Sequence, residues 1–223
     1  MIVYDNERKM INSELPINVR SHLVSGIFTG YELVKQLVKE TPWLQNAFGR
    51  NNYGSLRNSA VSFALKQKIV QEHFQVGTEE KMNRRRNYGY LQLNTPSSII
   101  DICQVAHPLA VPRHADFRFE NSFNNEQIEF IDENGKLILK NYMDVEPKNS
   151  SYYMILTHGC EADEPSFIRI GVPELGVKKW MYQLDLLSEP RLVKLPTKEE
   201  ILTTIPKFKE HILKGVQGDG QKL

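Results

Sequence analysis

The chain has 223 residues, 40% of them hydrophobic and 25% charged, and a formal net charge of +1. That length and composition belong to a globular protein with a substantial core and exclude wholesale disorder. The near-zero charge excludes a global field that steers a polyanion, so any contact with nucleic acid has to come from a local patch.

The start, Met1-Ile2-Val3-Tyr4 followed by Asp5, lacks the apolar run of a signal peptide. No stretch approaches the roughly 20 apolar residues that span a bilayer. Two cysteines, Cys103 and Cys160, are too few for a secreted disulfide scaffold. A cytoplasmic protein without membrane contact is expected.

The first third reads as helices. A short helix over Ile17–Phe28 is weakened by Gly26 and by β-branched residues. A second run opens at Gly30-Tyr31, repeats Leu33, Val34, Leu37 and Val38 at helical spacing, and stops near Glu40 because Pro42 follows. After the polar break Gly49–Gly54, Ser55 is the expected N-cap of a longer helix carrying Leu56, Val61, Phe63, Ala64, Leu65, Ile69 and Val70, ending before Gly77.

The period then changes. Tyr88, Tyr90, Leu91 and Leu93 form an aromatic-rich strand closed by Asn94-Thr95-Pro96. Gln127–Ile131 and Lys136–Leu139 flank Asp132-Glu133-Asn134-Gly135, the best hairpin signal in the chain. Tyr152–Thr157 and Phe167–Val172 are further apolar runs, separated by a loop from His158 to Pro165, and Trp180–Leu187 alternates as a strand. These connections are mostly too short for helical crossovers, which predicts a mainly antiparallel sheet. Thr197 and Glu200 make a capping box for a closing helix whose stripe is Ile201, Leu202, Ile205, Phe208 and Ile212, with Pro206 expected to kink or split it. The fold class predicted is α+β in a single domain, 1–223: helical over about 1–80, sheet over about 84–190, closing amphipathic helix over about 197–214.

Four segments carry chemistry-bearing side chains. Arg84-Arg85-Arg86 precede Tyr88 and Tyr90, a pairing of phosphate-binding cations with stacking rings that suits single-stranded nucleic acid; Arg50 and Arg57 extend such a patch. The bland alternative is a solvated connection partly neutralised by Glu79 and Glu80. The loop His158, Cys160, Glu161, Asp163, Glu164 gathers five metal- or proton-binding groups, without the paired spacing of a zinc site.

In the third segment, an extended strand places His114, Asp116, Arg118 and Glu120 on one face. There Asp116 and Glu120 become candidate ligands of a divalent metal, His114 a general base and Arg118 a phosphate contact, a set suited to phosphodiester cleavage. The same alternation also describes the solvent face of an amphipathic strand. The fourth, Asp144-Val145-Glu146-Pro147-Lys148, resembles half of a nuclease motif of the PD-(D/E)xK type, with Pro147 a departure from it. Cys103, in an apolar run, reads as a small buried hydrophobe.

Motifs for nucleophilic elbows, P-loops and dinucleotide binding are absent from the sequence. Two functional expectations follow. One is a protein that binds or cleaves nucleic acid. The other is a non-enzymatic interaction or regulatory protein, anchored through Tyr152, Tyr153, Trp180 and Tyr182.

Overall fold

In the computed structural model, residues 6–127, 130–131, 137–138, 151–159 and 163–219 are described. Four helices come first: α1 (Glu7–Glu14), α2 (Ile17–Glu40), the single turn α3 (Ala47–Arg50) and α4 (Tyr53–Gln71). β1 (Gly77–Met82), β2 (Gly89–Asn94) and β3 (Ser98–Gln104) follow, then α5 (Asp116–Ser122) and the small hairpin of β4 (Phe130–Ile131) and β5 (Leu137–Ile138). The chain continues through β6 (Tyr152–Gly159), β7 (Phe167–Pro173) and β8 (Trp180–Asp185) to α6 (Lys198–Asp219). The α+β class and its order, helices then strands then a closing helix, stand as predicted.

The two helices expected around Gly26 and Gly30 are one helix, α2. Glycine costs about 1 kcal/mol in a helix interior, and here tertiary packing overrides that cost. A Cβ on Gly30 would sit 2.6 Å from the Val61 Cα, and one on Gly26 would sit 2.8 Å from a Leu65 methyl. Gly30 therefore lets the backbones of α2 and α4 meet, and Gly26 lets a Leu65 methyl rest on the α2 backbone. A buried pair fixes the start of α2: Arg20 donates to both carboxylate oxygens of Glu189 at 2.7 Å, and to the Leu15 carbonyl.

Among the described residues, six strands form one sheet in the order β1-β2-β3-β6-β7-β8. Every neighbouring pair is antiparallel except β3 and β6, which run parallel from Ser98↔Tyr152 to Gln104↔His158. β1 and β3 were not among the expected strands. β1 is the charged sequence Gly-Thr-Glu-Glu-Lys-Met, and pairing with β2 rather than apolar alternation makes it a strand. The runs expected to pair do so, with Phe130 opposite Ile138 and Ile131 opposite Leu137; Asn134-Gly135, the turn expected between them, lies outside the described residues.

Strand side chains alternate between faces, and the two faces differ. Toward α1, α2 and α4 point Leu91, Leu93, Ile100, Ile102, Met154, Leu156, Ile168, Ile170 and Val172, which form one core with Leu23, Ile27, Val61 and Leu65. The other face carries Tyr90, Gln92, Asp101, Cys103, Tyr153, Ile155 and Thr157, and α5 lies across part of it. On the outer side of the helices, α6 buries Ile201, Ile205 and Phe208 against Leu33, Val34, Leu37 and Leu44. The predicted capping box is formed: Glu200 N–H donates to Thr197 Oγ1 and Thr197 N–H to Glu200 Oε2. Pro206 does not split α6, which runs through it as one helix.

Candidate functional site

The parallel register brings the carboxyl ends of β3 and β6 side by side, and the antiparallel pairings put the β1–β2 turn and the β6–β7 connection at that same end. Strand carboxyl ends are where open sheets containing parallel strands tend to bind ligands. The arginine hairpin, the charged segment around His114 and the loop after His158 all depart from this end of the sheet.

The β1–β2 turn is built by Asn83. Its side-chain oxygen accepts from the N–H groups of Asn87 and Tyr88, and its own N–H donates to the Tyr88 carbonyl at 2.8 Å. Arg86 closes the turn with φ 54°, a left-handed conformation that favours glycine or asparagine. Arg84, Arg85 and Arg86 all project as exposed side chains from this tip. At its foot lies an aromatic row. Tyr90 stacks on Phe117 of α5, centroids 4.0 Å apart and planes 9° apart, and Tyr88 lies parallel to Tyr90 at 6.4 Å. Tyr88 is 38% exposed, whereas Tyr90 is buried.

The strand expected over His114–Glu120 is instead a coil followed by α5, so these residues do not alternate across one face. The helix prevails because it satisfies three tertiary contacts at once. Phe117 reaches Tyr90, Arg118 reaches Cys103, and Ser122 Oγ accepts from the Gly176 N–H at 2.8 Å. Asp116 and Glu120 stay exposed and share a helix face at spacing i, i+4. Arg118 turns inward instead: buried, it donates to the Arg113 carbonyl at 3.0 Å, lies 3.6 Å from Cys103 Sγ and sits over the Phe117 ring. It is a structural cation, not one free to steady phosphate beside Asp116. His114 is exposed, its ring 6.1 Å from that of Phe119. Among the described residues, no group of three His, Cys, Asp or Glu side chains is placed to hold a metal ion.

His158 does not belong to the surface loop in which the sequence placed it. It is the penultimate residue of β6, fully buried on the helix side, where its Nδ1 pairs with the Tyr31 hydroxyl at 2.9 Å. Burial, reinforced by the nearby Arg57 charge, pushes its imidazole down to about 4, so it is neutral at pH 7. Asp163 and Glu164 of that loop are exposed, and Cys160 and Glu161 lie outside the described residues, as does the Asp144–Lys148 segment. Two of the four aromatic anchors expected for a protein partner are unavailable: Tyr152 and Tyr153 are buried, Tyr153 completely.

Arg50 and Arg57, expected to extend the hairpin patch, lie on α3 and α4. They line a cavity of about 400 Å³ with Tyr31, Val34, Lys35, Val38 and Lys39 of α2, Tyr53 of α4 and Asp163.

The residues that composition did not single out lie beneath the aromatic row. Asp101, nearly wholly buried, accepts from the Tyr153 hydroxyl at 2.6 Å and from Gln92 Nε2 at 3.2 Å, and Lys81 Nζ donates to Gln92 Oε1. Burial pushes the Asp101 carboxyl up despite these donors and the Arg118 charge. It also drives the Tyr153 phenol well above its ordinary value and raises Tyr90 to about 12, the Asp101 charge adding to both. The Cys103 thiol rises through burial as well, in line with the buried small residue expected from the sequence. A carboxylate inside the apolar run Ile99-Ile100-Asp101-Ile102 was the available signal, since an acid is seldom fully buried without partners.

No protein family matches this chain, and neither a curated protein nor a solved structure is similar enough to count as a relative. No described helix is long and apolar enough to cross a membrane.

Proposed function

We propose that the protein binds single-stranded nucleic acid at the β1–β2 hairpin. The observation that carries this reading is the exposed ring of Tyr88, aligned with the Tyr90–Phe117 stack at the foot of a turn that presents Arg84, Arg85 and Arg86. Arginines supply sequence-independent phosphate contacts, and an exposed ring face takes an unpaired base of any identity. A turn held by four bonds between Asn83 and residues 87–88 offers these groups with little ordering still to be done on binding. A duplex hides its base faces, so single strands are the preferred form.

The test is fluorescence anisotropy with single- and double-stranded DNA and RNA at two salt concentrations, with magnesium and with chelator. Salt-dependent binding that prefers single strands is expected. Replacing Tyr88 by Ala should weaken it by about 1–3 kcal/mol. The triple change Arg84→Ala, Arg85→Ala, Arg86→Gly should flatten the salt dependence while relieving the left-handed strain at position 86. Absence of binding at low salt overturns the proposal. Magnesium-dependent cleavage abolished by Asp116→Ala and Glu120→Ala would extend it to phosphodiester chemistry.

A further inference from the structure

The cavity between α2, α3 and α4 has a composition that the hairpin reading does not use. Its floor is one stripe of α2: Tyr31, Lys35 and Lys39 follow at steps of four, with Val34 and Val38 beside them. Tyr53 and Arg57, again four apart, form the α4 wall, and Arg50 closes one end from α3. The side chains are fixed by neighbours. The Tyr53 hydroxyl donates to the Leu44 carbonyl at 3.0 Å. The Arg57 guanidinium lies 5.6 Å from the Tyr31 ring and 5.7 Å from that of Tyr53, a cation held between two aromatic faces. The Tyr31 hydroxyl is engaged by His158.

Four cations against one lining carboxylate, Asp163, leave an excess of positive charge in a concave, partly apolar space. Two further acids reach Lys35: Glu32, at 3.2 Å, and Glu164 at longer range. Glu32 therefore takes up Lys35, and the four cations exceed these three acids by one charge. A volume of about 400 Å³ is at the small end for a ligand pocket and is enough for one ring and one phosphoryl group. Guanidinium forks recognise phosphoryl oxygens in pairs, and the adjoining Tyr53, Val34 and Val38 surfaces suit a flat or apolar remainder.

We propose that this cavity is a binding site for the phosphomonoester group of a small ring-bearing molecule, with Arg57 and Arg50 gripping the phosphoryl oxygens and Lys39 completing the charge. The phosphomonoester can come from a free nucleotide-sized molecule or from the 5′ end of a nucleic-acid strand. The site is separate from the hairpin and stands whether or not the hairpin binds nucleic acid.

Binding of inorganic phosphate, adenosine 5′-monophosphate, adenosine, and a 5′-phosphorylated and a 5′-hydroxyl trinucleotide is measured by calorimetry and by amide chemical-shift perturbation on the full chain. Saturable binding of adenosine 5′-monophosphate is expected, stronger than that of phosphate or adenosine. Arg50→Ala and Lys39→Ala alter exposed side chains, so they keep the test valid where Arg57→Gln disturbs folding. Arg57→Gln and Arg50→Ala should each weaken binding at least about tenfold, the scale of one charge-assisted hydrogen bond, and Lys39→Ala a few-fold. Asp163→Asn should tighten it. The triple hairpin variant should leave it unchanged. If the phosphorylated trinucleotide binds as well as the mononucleotide and responds to the same variants, the source is a strand end. If only the mononucleotide binds, the source is a small molecule. No saturable binding of any phosphorylated probe overturns the proposal, as does binding that ignores Arg50→Ala and Arg57→Gln.

Discussion

The two faces of the central sheet are made by the same strands and have opposite chemistry. On the helix side, alternate residues of β2, β3, β6 and β7 are apolar almost without interruption, and Ser98 and His158, at opposite ends, are its buried polar residues. On the α5 side the intervening positions carry Gln92, Asp101, Cys103, Tyr153 and Thr157, satisfied by a chain of side-chain bonds that runs from Lys81 through Gln92 and Asp101 to Tyr153. A dry face is held by area and shape and is indifferent to pH. A polar face is held by matched donors and acceptors, and fails where one of them is removed or changes charge. The contrast predicts where mutations act by volume and where they act by protonation.

The largest effect should come from the dry face. Leu156 is fully buried between the sheet and the helices, so Leu156→Ala should cost about 2–5 kcal/mol by lost transfer energy plus a cavity. Urea unfolding should show that loss undiminished between pH 5 and pH 8. A pH-dependent loss would break the comparison.

Next is the histidine on that face. His158 titrates at about 4 in the fold against 6.5 ordinarily. The unfolded chain therefore binds the extra proton first, and stability contributed by neutral His158 is complete above pH 6.5 and lost as pH falls toward 4. The loss is about 3 kcal/mol at 1.36 kcal/mol per unit. His158→Gln keeps a partner for the Tyr31 hydroxyl and does not titrate. Subtracting its unfolding profile from that of the parent isolates this slope, and parallel profiles would overturn it.

The helical third, the aromatic strand β2, the pairing of β4 with β5 and the capping box of α6 were legible because each is a local pattern: a period, two apolar runs a few residues apart, a spacing of three. What was not legible depended on partners far along the chain. Gly26 and Gly30 read as helix breakers until Val61 and Leu65 are known to press against them. The charged segment 114–120 reads as an alternating strand, and becomes a helix because Tyr90 and Cys103 meet its adjacent residues Phe117 and Arg118 and Gly176 meets Ser122 one turn on. The arginine tip, exposed beside Tyr88, was readable as a patch. The assembly of Arg50 and Arg57 with Lys35 and Lys39 was not, since it depends on how α2, α3 and α4 meet.

On the polar face the effects are smaller and depend on bonding. Tyr153→Phe removes the donor 2.6 Å from Asp101 Oδ2 while leaving the ring volume in place. The buried carboxyl loses one of its two hydrogen bonds, which should cost about 1–3 kcal/mol. The loss should be larger at pH 8 than at pH 4, since the ionised form needs the donor more. Equal losses at both pH values would mean that the hydroxyl matters only for packing.

The smallest expected effect is at Asp101 itself, and its sign distinguishes a carboxyl retained at a cost from one that stabilises. The folded chain holds the Asp101 proton more tightly than the unfolded chain, whose ordinary value is 3.8. Stability credited to the protonated carboxyl is present below pH 3.8 and disappears as pH rises through the raised folded value, opposite in slope to His158. Asp101→Asn keeps the shape and cannot ionise, although its amide accepts through one oxygen where the carboxylate had two. At neutral pH these terms oppose one another, and the variant should lie within about 1 kcal/mol of the parent. Its stability relative to the parent should rise as the pH is raised from 3.8, as read from urea midpoints at matched slopes. If the variant instead loses ground with rising pH, the carboxylate is stabilised by Tyr153, Gln92 and Arg118 beyond the cost of its burial, and the polar face is held by charge rather than despite it.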